Sequence, residues 1–194
     1  MLDDSTIISR CQAGQLALSE ILIHRYKKPL YSFCCKLARD RGEVDDLFQD
    51  TWVKAIKNIN RCAPERRFIT WLFTICINLY RDSYRYKYRW MKVIKSYFLD
   101  KQKEKEMGNL KSSDVGPDER IIKNEQEITL RKALKSLKDI YRIPVILYYY
   151  REFSIDEISN MLVIPKGTVK SRLAAGRENL KKIIEVMENE GKKA

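Results

Sequence analysis

The stretch from Phe153 to Leu173 constrains the fold of this chain more than any other. Ser154 and Glu157 stand at the spacing of a capping box, in which each side chain satisfies backbone N–H groups that a helix start leaves unpaired. Apolar residues then recur at helical spacing until Pro165, which cannot continue that helix but suits the first turn of another. The stretch therefore predicts two short helices joined by about three residues.

The second of these helices is basic on its outer side. Val169, Leu173 and Leu180 form an inward apolar stripe. The residues that this leaves facing outward are Lys166, Thr168, Lys170, Ser171, Arg172 and Arg177. A helix-turn-helix of this kind fits insertion into a DNA major groove, and the alternative is an ordinary helical hairpin with a solvated basic face.

Positive charge is concentrated in two parts of the chain, which has 194 residues and a formal net charge of +12. Residues 61–95 contribute +7 and residues 166–182 contribute +5, which together account for the whole excess. Because a merely solubilised protein has no reason to concentrate charge in this way, the distribution indicates two nucleic-acid contacts. The N-terminus has no signal pattern and no apolar run is long enough to span a membrane, so we expect a cytoplasmic protein.

An acidic helix face stands out in this basic chain. The run that begins at Glu43 places its apolar residues inward and leaves four polar side chains on a nearby outer face, namely Asp45, Asp46, Gln49 and Asp50. Two interpretations fit this face: simple exposure to solvent, or a docking surface for a basic protein partner.

A basic loop and a long helix follow. Residues 60–68 lack helical periodicity and contain Pro64, and an apolar helix then continues into a run that alternates cations with aromatic residues between Tyr80 and Trp90. Cations attract backbone phosphates and exposed rings stack on unpaired bases, so this combination suits single-stranded DNA. A helix cannot present all of these rings on one side, and we expect only one or two to face outward.

The predicted organisation is all-α, with two small helical domains joined by a flexible polar linker. The domains span residues 1–95 and 125–190, and the linker spans residues 96–124, whose most polar part begins at Asp100. In the first domain, Gly14 and Pro29 are expected to interrupt two to three short helices. In the second, a helix pair is expected to break around Pro144 and to lead into the helix-turn-helix.

Signs of catalysis are weak. His24 is the single histidine and is expected to be structural, and the five cysteines show no zinc spacing. Asp45, Asp46 and Asp50 lack the accompanying ligands of a known metal motif. We therefore expect no enzyme, no metal and no cofactor.

Taken together, these features resemble an extracytoplasmic-function (ECF) sigma factor of the sigma-70 family. The resemblance covers nearly the whole chain. The motifs that carry it are Ala13-Gly14-Gln15, Asp45-Asp46-Leu47-Phe48-Gln49-Asp50, Trp71-Leu72-Phe73-Thr74-Ile75-Cys76-Ile77-Asn78 and Ile164-Pro165-Lys166-Gly167-Thr168-Val169-Lys170-Ser171-Arg172-Leu173.

The resemblance implies a subunit that binds core RNA polymerase and directs promoter-specific initiation. The first domain would melt and read the −10 element, and the second would read the −35 element as duplex. The acidic face would dock on the β′ coiled coil, which favours the docking interpretation, and the segment around residues 137–150 would meet the β flap. The implied −10 contacts are Asn60, Arg61, Arg66, Arg67, Trp71, Asn78, Arg81, Tyr84 and Arg85, and the implied −35 contacts are the outward residues of the second helix. An anti-sigma factor is an expected partner.

This chain departs from the family pattern at Ala174-Ala175-Gly176, where members often carry a bulky or polar residue and an arginine. Two groove contacts are therefore expected to be missing, and base reading should depend on Lys170, Ser171 and Arg172 and on DNA shape. A glycine at position 176 should also cost the helix about 1 kcal/mol relative to alanine. The alternatives are a stand-alone helix-turn-helix regulator of duplex operators and an RNA-binding or scaffold protein.

Overall fold

The computed structural model describes residues 2–38, 40–99 and 125–191, with the side chains of all of these except residues 84, 87–99, 125–127 and 190–191. The N-terminal part contains four α-helices and two short 3₁₀ turns. In chain order these are α1 (Asp4–Gln12), a turn (Leu16–Leu18), α2 (Ser19–Leu37), α3 (Arg41–Lys57), a turn (Ile59–Arg61) and α4 (Phe68–Leu99). Helix α4 thus continues through the first residues of the predicted linker, and residues 100–124 lie outside the described ranges.

The C-terminal part contains four more helices. They are α5 (Glu125–Ser136), α6 (Asp139–Val145) with a π-helical turn (Ile146–Tyr150), α7 (Ile155–Leu162) and α8 (Lys166–Gly191). All elements in the described ranges are helical, as the sequence predicts. None of the helices within those ranges has the length and apolarity needed to cross a membrane.

The predicted capping box at Ser154 is confirmed. The Glu157 backbone N–H donates to Ser154 Oγ (3.2 Å), and the Ser154 backbone N–H donates to Glu157 Oε2 (2.9 Å). Helix α7 begins directly after Ser154 and ends at Leu162, where the sequence predicts its end. Local side-chain chemistry therefore determines both ends of the first helix of the helix-turn-helix.

The expected interruption at Pro29 is wrong, because Pro29 lies inside α2. A proline inside a helix costs about 3 kcal/mol. On the two sides of Pro29 the helix buries Leu22 and Phe33 completely or nearly so, and each such side chain contributes about 1.5–3 kcal/mol on burial. The free energy gained by packing these side chains therefore outweighs the tendency of Pro29 to interrupt the helix.

The expected break at Pro144 is also misplaced. The chain leaves the helical conformation at Lys138, whose ψ is 141°, and Pro144 lies within α6. Ile143, Pro144 and Val145 are all buried, so packing holds the last turn of α6 in a helical conformation. The π-helical turn follows directly. The helix pair is therefore α5 and α6, separated at residues 137–138.

The two predicted domains share one contiguous hydrophobic core. Phe33 of α2 stacks on Phe73 of α4 with ring centroids 4.4 Å apart, and Phe153 meets Phe73 edge-on at 5.8 Å. Arg151 lies over the Phe73 ring at 5.4 Å and donates to the carbonyl oxygen of Pro29 in α2. The sequence predicts two domains but not this packed seam between them.

Gly176 lies where α8 crosses α6. A Cβ added at this position would come within 2.7 Å of Val145 Cγ2, closer than real Cβ contacts allow. The glycine is therefore required for the close approach of the two helices, and its packing role outweighs its weak helix propensity.

We predict that Gly176→Ala lowers the free energy of unfolding by up to about 2 kcal/mol, because overpacking costs about 1–3 kcal/mol and the gain in helix propensity offsets about 1 kcal/mol of that cost. Gly167→Ala is the matched control, since a Cβ there would meet nothing within 4 Å. Urea denaturation followed by circular dichroism measures both. If Gly176→Ala stabilised the protein as much as Gly167→Ala does, the close approach would be disproved.

Candidate nucleic-acid interfaces and docking surface

The basic loop, residues 60–68, is anchored through α1. Gln12 Nε2 donates to the carbonyl oxygens of Ile59 (3.0 Å) and Cys62 (2.8 Å). Helix α1 is in turn fixed to α2, because the Asp4 carboxylate accepts hydrogen bonds from Arg25 and Tyr26. Burial and the hydrogen bond to Asp4 raise the pKa of Tyr26 to about 12, so this phenol stays a donor at neutral pH.

Phe68 anchors the other end of the basic loop. Its side chain is 2% exposed, and its ring centroid lies 5.3 Å from that of Tyr26 and 5.8 Å from that of Trp71. Between the two anchors the chain presents four exposed side chains that were predicted to meet DNA, Asn60, Arg61, Arg66 and Arg67. The structure therefore holds the loop backbone while leaving its cations accessible.

Helix α4 continues this surface. Trp71, Asn78 and Arg85 recur every seventh residue, which places them on one helix face. Asn78 and Arg85 are exposed and Trp71 is half-buried, while the Tyr84 side chain lies outside the described ones. Together with Arg81 and the exposed residues of the basic loop, these form what we call the loop-and-α4 surface.

Within the aromatic run on α4, the structure describes the side chains of Tyr80 and Tyr86. Tyr80 is 5% exposed, whereas Tyr86 is 68% exposed. The Tyr80 hydroxyl lies 3.1 Å from Asp139 Oδ2 and accepts from Arg142 Nη2 at 2.5 Å. Tyr80 therefore joins α4 to α6, and Tyr86 is the available ring among those described.

The α8 surface consists of the six residues predicted to face outward. Lys166, Lys170, Ser171 and Arg177 are exposed, and Thr168 and Arg172 are half-buried. Lys166 Nζ lies 2.9 Å from Asp156 Oδ1, so one cation of this surface already has an acidic neighbour on α7. Of the residues that depart from the family pattern, Ala174 is exposed and Gly176 is buried against α6.

The two basic surfaces meet at Arg81. Partial burial, followed by the positive charges of Arg172 and Arg85, lowers the pKa of the Arg81 guanidinium. Arg172 belongs to the α8 surface, whereas Arg81 and Arg85 belong to the loop-and-α4 surface. The folded chain thus brings together two cationic regions that are far apart in sequence.

The acidic face of α3 is accessible. Asp46, Gln49 and Asp50 are exposed and Asp45 is half-buried. Tyr31 of α2 donates from its hydroxyl to Asp45 Oδ1 (3.2 Å), and its ring meets Phe48 edge-on with centroids 5.5 Å apart. Apolar surface next to the carboxylates suits a protein partner better than solvent alone.

Sequence reasoning missed three residues that organise these surfaces. Gln12 lies 47 residues before Ile59, whose carbonyl oxygen accepts its hydrogen bond. Tyr31 and Arg151 lie in stretches whose apolar spacing does not distinguish a buried side chain from an exposed one. Their partners come from distant helices, so no local spacing could have identified them.

The single histidine and the five cysteines all lie within the described residues. Among the residues that the structure describes, no three His, Cys, Asp or Glu side chains come together in a way that could hold a metal ion. His24 is exposed, the cysteines form no disulfide, and Cys34 Sγ lies 3.7 Å from Cys76 Sγ in the core. The contact with Cys76 and burial raise the pKa of the Cys34 thiol, as is typical of an unreactive core side chain.

Comparison with known proteins agrees with this geometry. The Sigma-70 region 2 model matches residues 22–89, and the Sigma-70, region 4 model matches residues 128–180. The ECF RNA polymerase sigma factor SigW of Bacillus subtilis is 31% identical over 166 residues, which are 83% of this chain and 86% of SigW. The RNA polymerase sigma-H factor of Pseudomonas aeruginosa is 23% identical over 183 residues, 94% of either protein.

Solved structures share the fold. The sigma factor RpoE in complex with the anti-sigma factor NepR from Bartonella quintana superposes with a TM-score of 0.64 at 23% identity, over 86% of this chain and 96% of RpoE. CnrH in complex with the cytosolic domain of CnrY gives a TM-score of 0.65 at 20% identity, over 94% and 97% of the two chains.

The fold and its surfaces define a helical DNA-binding transcription factor with two sigma-type regions. The chain belongs to the ECF group of the sigma-70 family and is an RNA polymerase sigma factor. This membership confirms the predicted resemblance and favours that hypothesis over a stand-alone regulator of duplex operators.

The turn between α7 and α8 contains a strained residue. Val163 has a φ of 54° in the left-handed region and is 87% exposed. For a β-branched residue this conformation costs about 1–2 kcal/mol, and exposure means that almost no packing offsets it.

We predict that Val163→Asn raises the free energy of unfolding by about 0.5–1 kcal/mol, because asparagine tolerates the left-handed region. Val163→Ala is the control, since alanine removes the branched side chain without that tolerance. Thermal and urea unfolding of the full chain measure both. Equal effects of the two substitutions would show that backbone strain is not what limits stability here.

Proposed function

We propose that this sigma factor divides promoter recognition between its two basic surfaces and docks on core polymerase through α3. The observation that carries the proposal is the exposed acidic face in a chain whose net charge is +12. Because DNA is a polyanion, an acidic patch does not add to affinity for DNA. A basic protein surface is the partner that such a patch complements. The family supplies the partner, which is the β′ coiled coil of core RNA polymerase.

The loop-and-α4 surface is proposed to hold the −10 element as an opened strand. Arg61, Arg66 and Arg85 are exposed and can neutralise phosphates. Trp71 and Tyr86 are rings with accessible surface on which unpaired bases can stack, each at about 1–3 kcal/mol. A captured base, extruded from the duplex, would supply specificity here.

The α8 surface is proposed to read the −35 element in the major groove. Exposed Lys170 and Ser171 and half-buried Arg172 are the side chains proposed for base contacts, with Lys166 and Arg177 as phosphate anchors. Ala174 and Ala175 have no side-chain groups that can form hydrogen bonds to base edges. Recognition should therefore depend strongly on groove shape, and the second domain alone should bind weakly.

Further polymerase contact is proposed for the π-helical turn. Tyr148, Tyr149 and Tyr150 are 39–49% exposed, and Ile140 on α6 is 49% exposed. Aromatic residues are enriched at protein interfaces, so this patch fits the β flap that the family contacts there. An anti-sigma factor is a further proposed partner, supported by the complex of RpoE with the anti-sigma factor NepR. The protein would act in the cytoplasm with the polymerase and would not be an enzyme.

We predict that Asp46→Arg and Asp50→Arg each weaken binding to core polymerase about tenfold, which corresponds to about 1.4 kcal/mol. Charge reversal replaces attraction to the basic coiled coil by repulsion. Fluorescence anisotropy of the labelled full chain, titrated with core polymerase, measures the dissociation constant.

Glu188→Arg is the matched control, because Glu188 is an exposed acid on α8 and should leave core binding unchanged. Far-ultraviolet circular dichroism should show all three variants folded. If both α3 variants bound core polymerase as tightly as the unmodified chain, the proposed docking face would be wrong.

A further inference from the structure

Glu157 connects the helix-turn-helix to the basic loop. Its Oε1 accepts from Arg67 Nη1 at 3.0 Å and lies 3.4 Å from Thr70 Oγ1. Its Oε2 accepts from the backbone N–H and the hydroxyl of Ser154 at 2.9 and 3.0 Å. The two carboxylate oxygens therefore have separate roles, one in capping α7 and the other in binding the start of α4.

The surroundings hold this carboxylate in place. Phe153, the residue before the cap, is 1% exposed, and the Arg67 guanidinium lies over its ring at 5.8 Å. Partial desolvation raises the pKa of Glu157, but the hydrogen bonds from Ser154 and the Arg67 charge outweigh it and lower the pKa overall. Glu157 is thus an anion at neutral pH with a fixed position beside Arg67.

An anion at this position competes with DNA. Arg67 is one of the cations proposed to neutralise phosphates of the −10 strand, and the same guanidinium N–H groups serve a carboxylate or a phosphate. The Arg67 side chain is 64% exposed, and exposed ion pairs are weak. A phosphate can therefore displace Glu157 without unfolding anything.

The packed seam is also incompatible with reading both promoter elements at once. The −35 and −10 elements are separate parts of a promoter, and B-form DNA extends about 3.4 Å for each base pair that lies between them. Here Arg172 of the α8 surface lies close enough to Arg81 to affect its pKa. The domains must separate to reach both elements, and the Arg67–Glu157 pair must then break.

We propose that Glu157 is an internal ligand of the basic loop, which occupies the phosphate site at Arg67 in the closed form and is displaced by the −10 strand. The proposal rests on the proposed −10 role of the loop-and-α4 surface. It assigns Glu157 a second function that a helix cap does not require, since glutamine at this position caps equally well.

The test is the affinity of the full chain for a short fluorescein-labelled single-stranded DNA of mixed sequence at low salt. Glu157→Gln keeps the capping box but removes the charge, and we expect about two- to fivefold tighter binding. Glu152→Gln is the matched control, because it removes an exposed negative charge nearby without touching the basic loop. Ser154→Ala, which weakens the cap but keeps the ion pair, should not tighten binding.

A double-mutant cycle separates this proposal from the one on which it rests. Arg67→Gln should weaken binding, and Glu157→Gln should have no further effect in that background. If Arg67→Gln weakened binding but Glu157→Gln gave no more than the Glu152→Gln control, the internal-ligand proposal would be overturned and the −10 role would stand. If Arg67→Gln left binding unchanged, the −10 role of this arginine would fail as well.

Discussion

Two carboxylates, Asp139 and Glu157, lie where the basic surfaces of this sigma factor meet. Asp139 pairs with the guanidinium of Arg142 at 2.6 Å, and Arg142 is only 2% exposed. Asp139 also accepts a hydrogen bond from the Tyr80 hydroxyl. Glu157 pairs with Arg67. Without these acids, cations of the two basic surfaces would lie close together with less negative charge between them. Asp139 and Glu157 therefore offset part of the repulsion between these cations in the closed arrangement of the chain.

The roles that we propose for the three surfaces follow from the distribution of acidic and basic side chains. The exposed acidic face on α3 is the surface that we propose for a protein partner, and the loop-and-α4 and α8 surfaces are those that we propose for nucleic acid. We expect the two domains to move apart on a promoter, whereas in the closed form Asp139 and Glu157 lie beside cations of the two surfaces. The chain's membership of the sigma-70 family agrees with this distribution of charge.

Local chemistry was the part that the sequence could predict. The capping box at Ser154, the end of α7 at Leu162 and the outward residues of α8 depend on neighbours within one or two helical turns. Proline was misjudged twice, at Pro29 and Pro144, because buried side chains on both sides outweigh a local preference. The packing role of Gly176 could not be predicted for the same reason, since it depends on the crossing of α6 and α8.

The seam itself could not be predicted. Its contacts join residues separated by 59 to 122 positions, such as Tyr80 with Asp139 and Arg151 with Pro29, and neither member of such a pair has a distinctive local pattern. The apolar spacing of a helix face that packs against another domain is the same as that of a face that packs within its own domain. For that reason the predicted site residues were placed on two separate domains, and the proximity of Arg81 to Arg172 emerged only from the fold.

The most direct test of the account is run-off transcription with bacterial core RNA polymerase on a library of templates that carry random promoter sequence. The account predicts transcripts that depend on this protein, from templates enriched in two short motifs at a fixed spacing, one upstream of the other. Absence of protein-dependent transcripts from a folded sample, or enrichment of a single two-fold-symmetric motif, would contradict it.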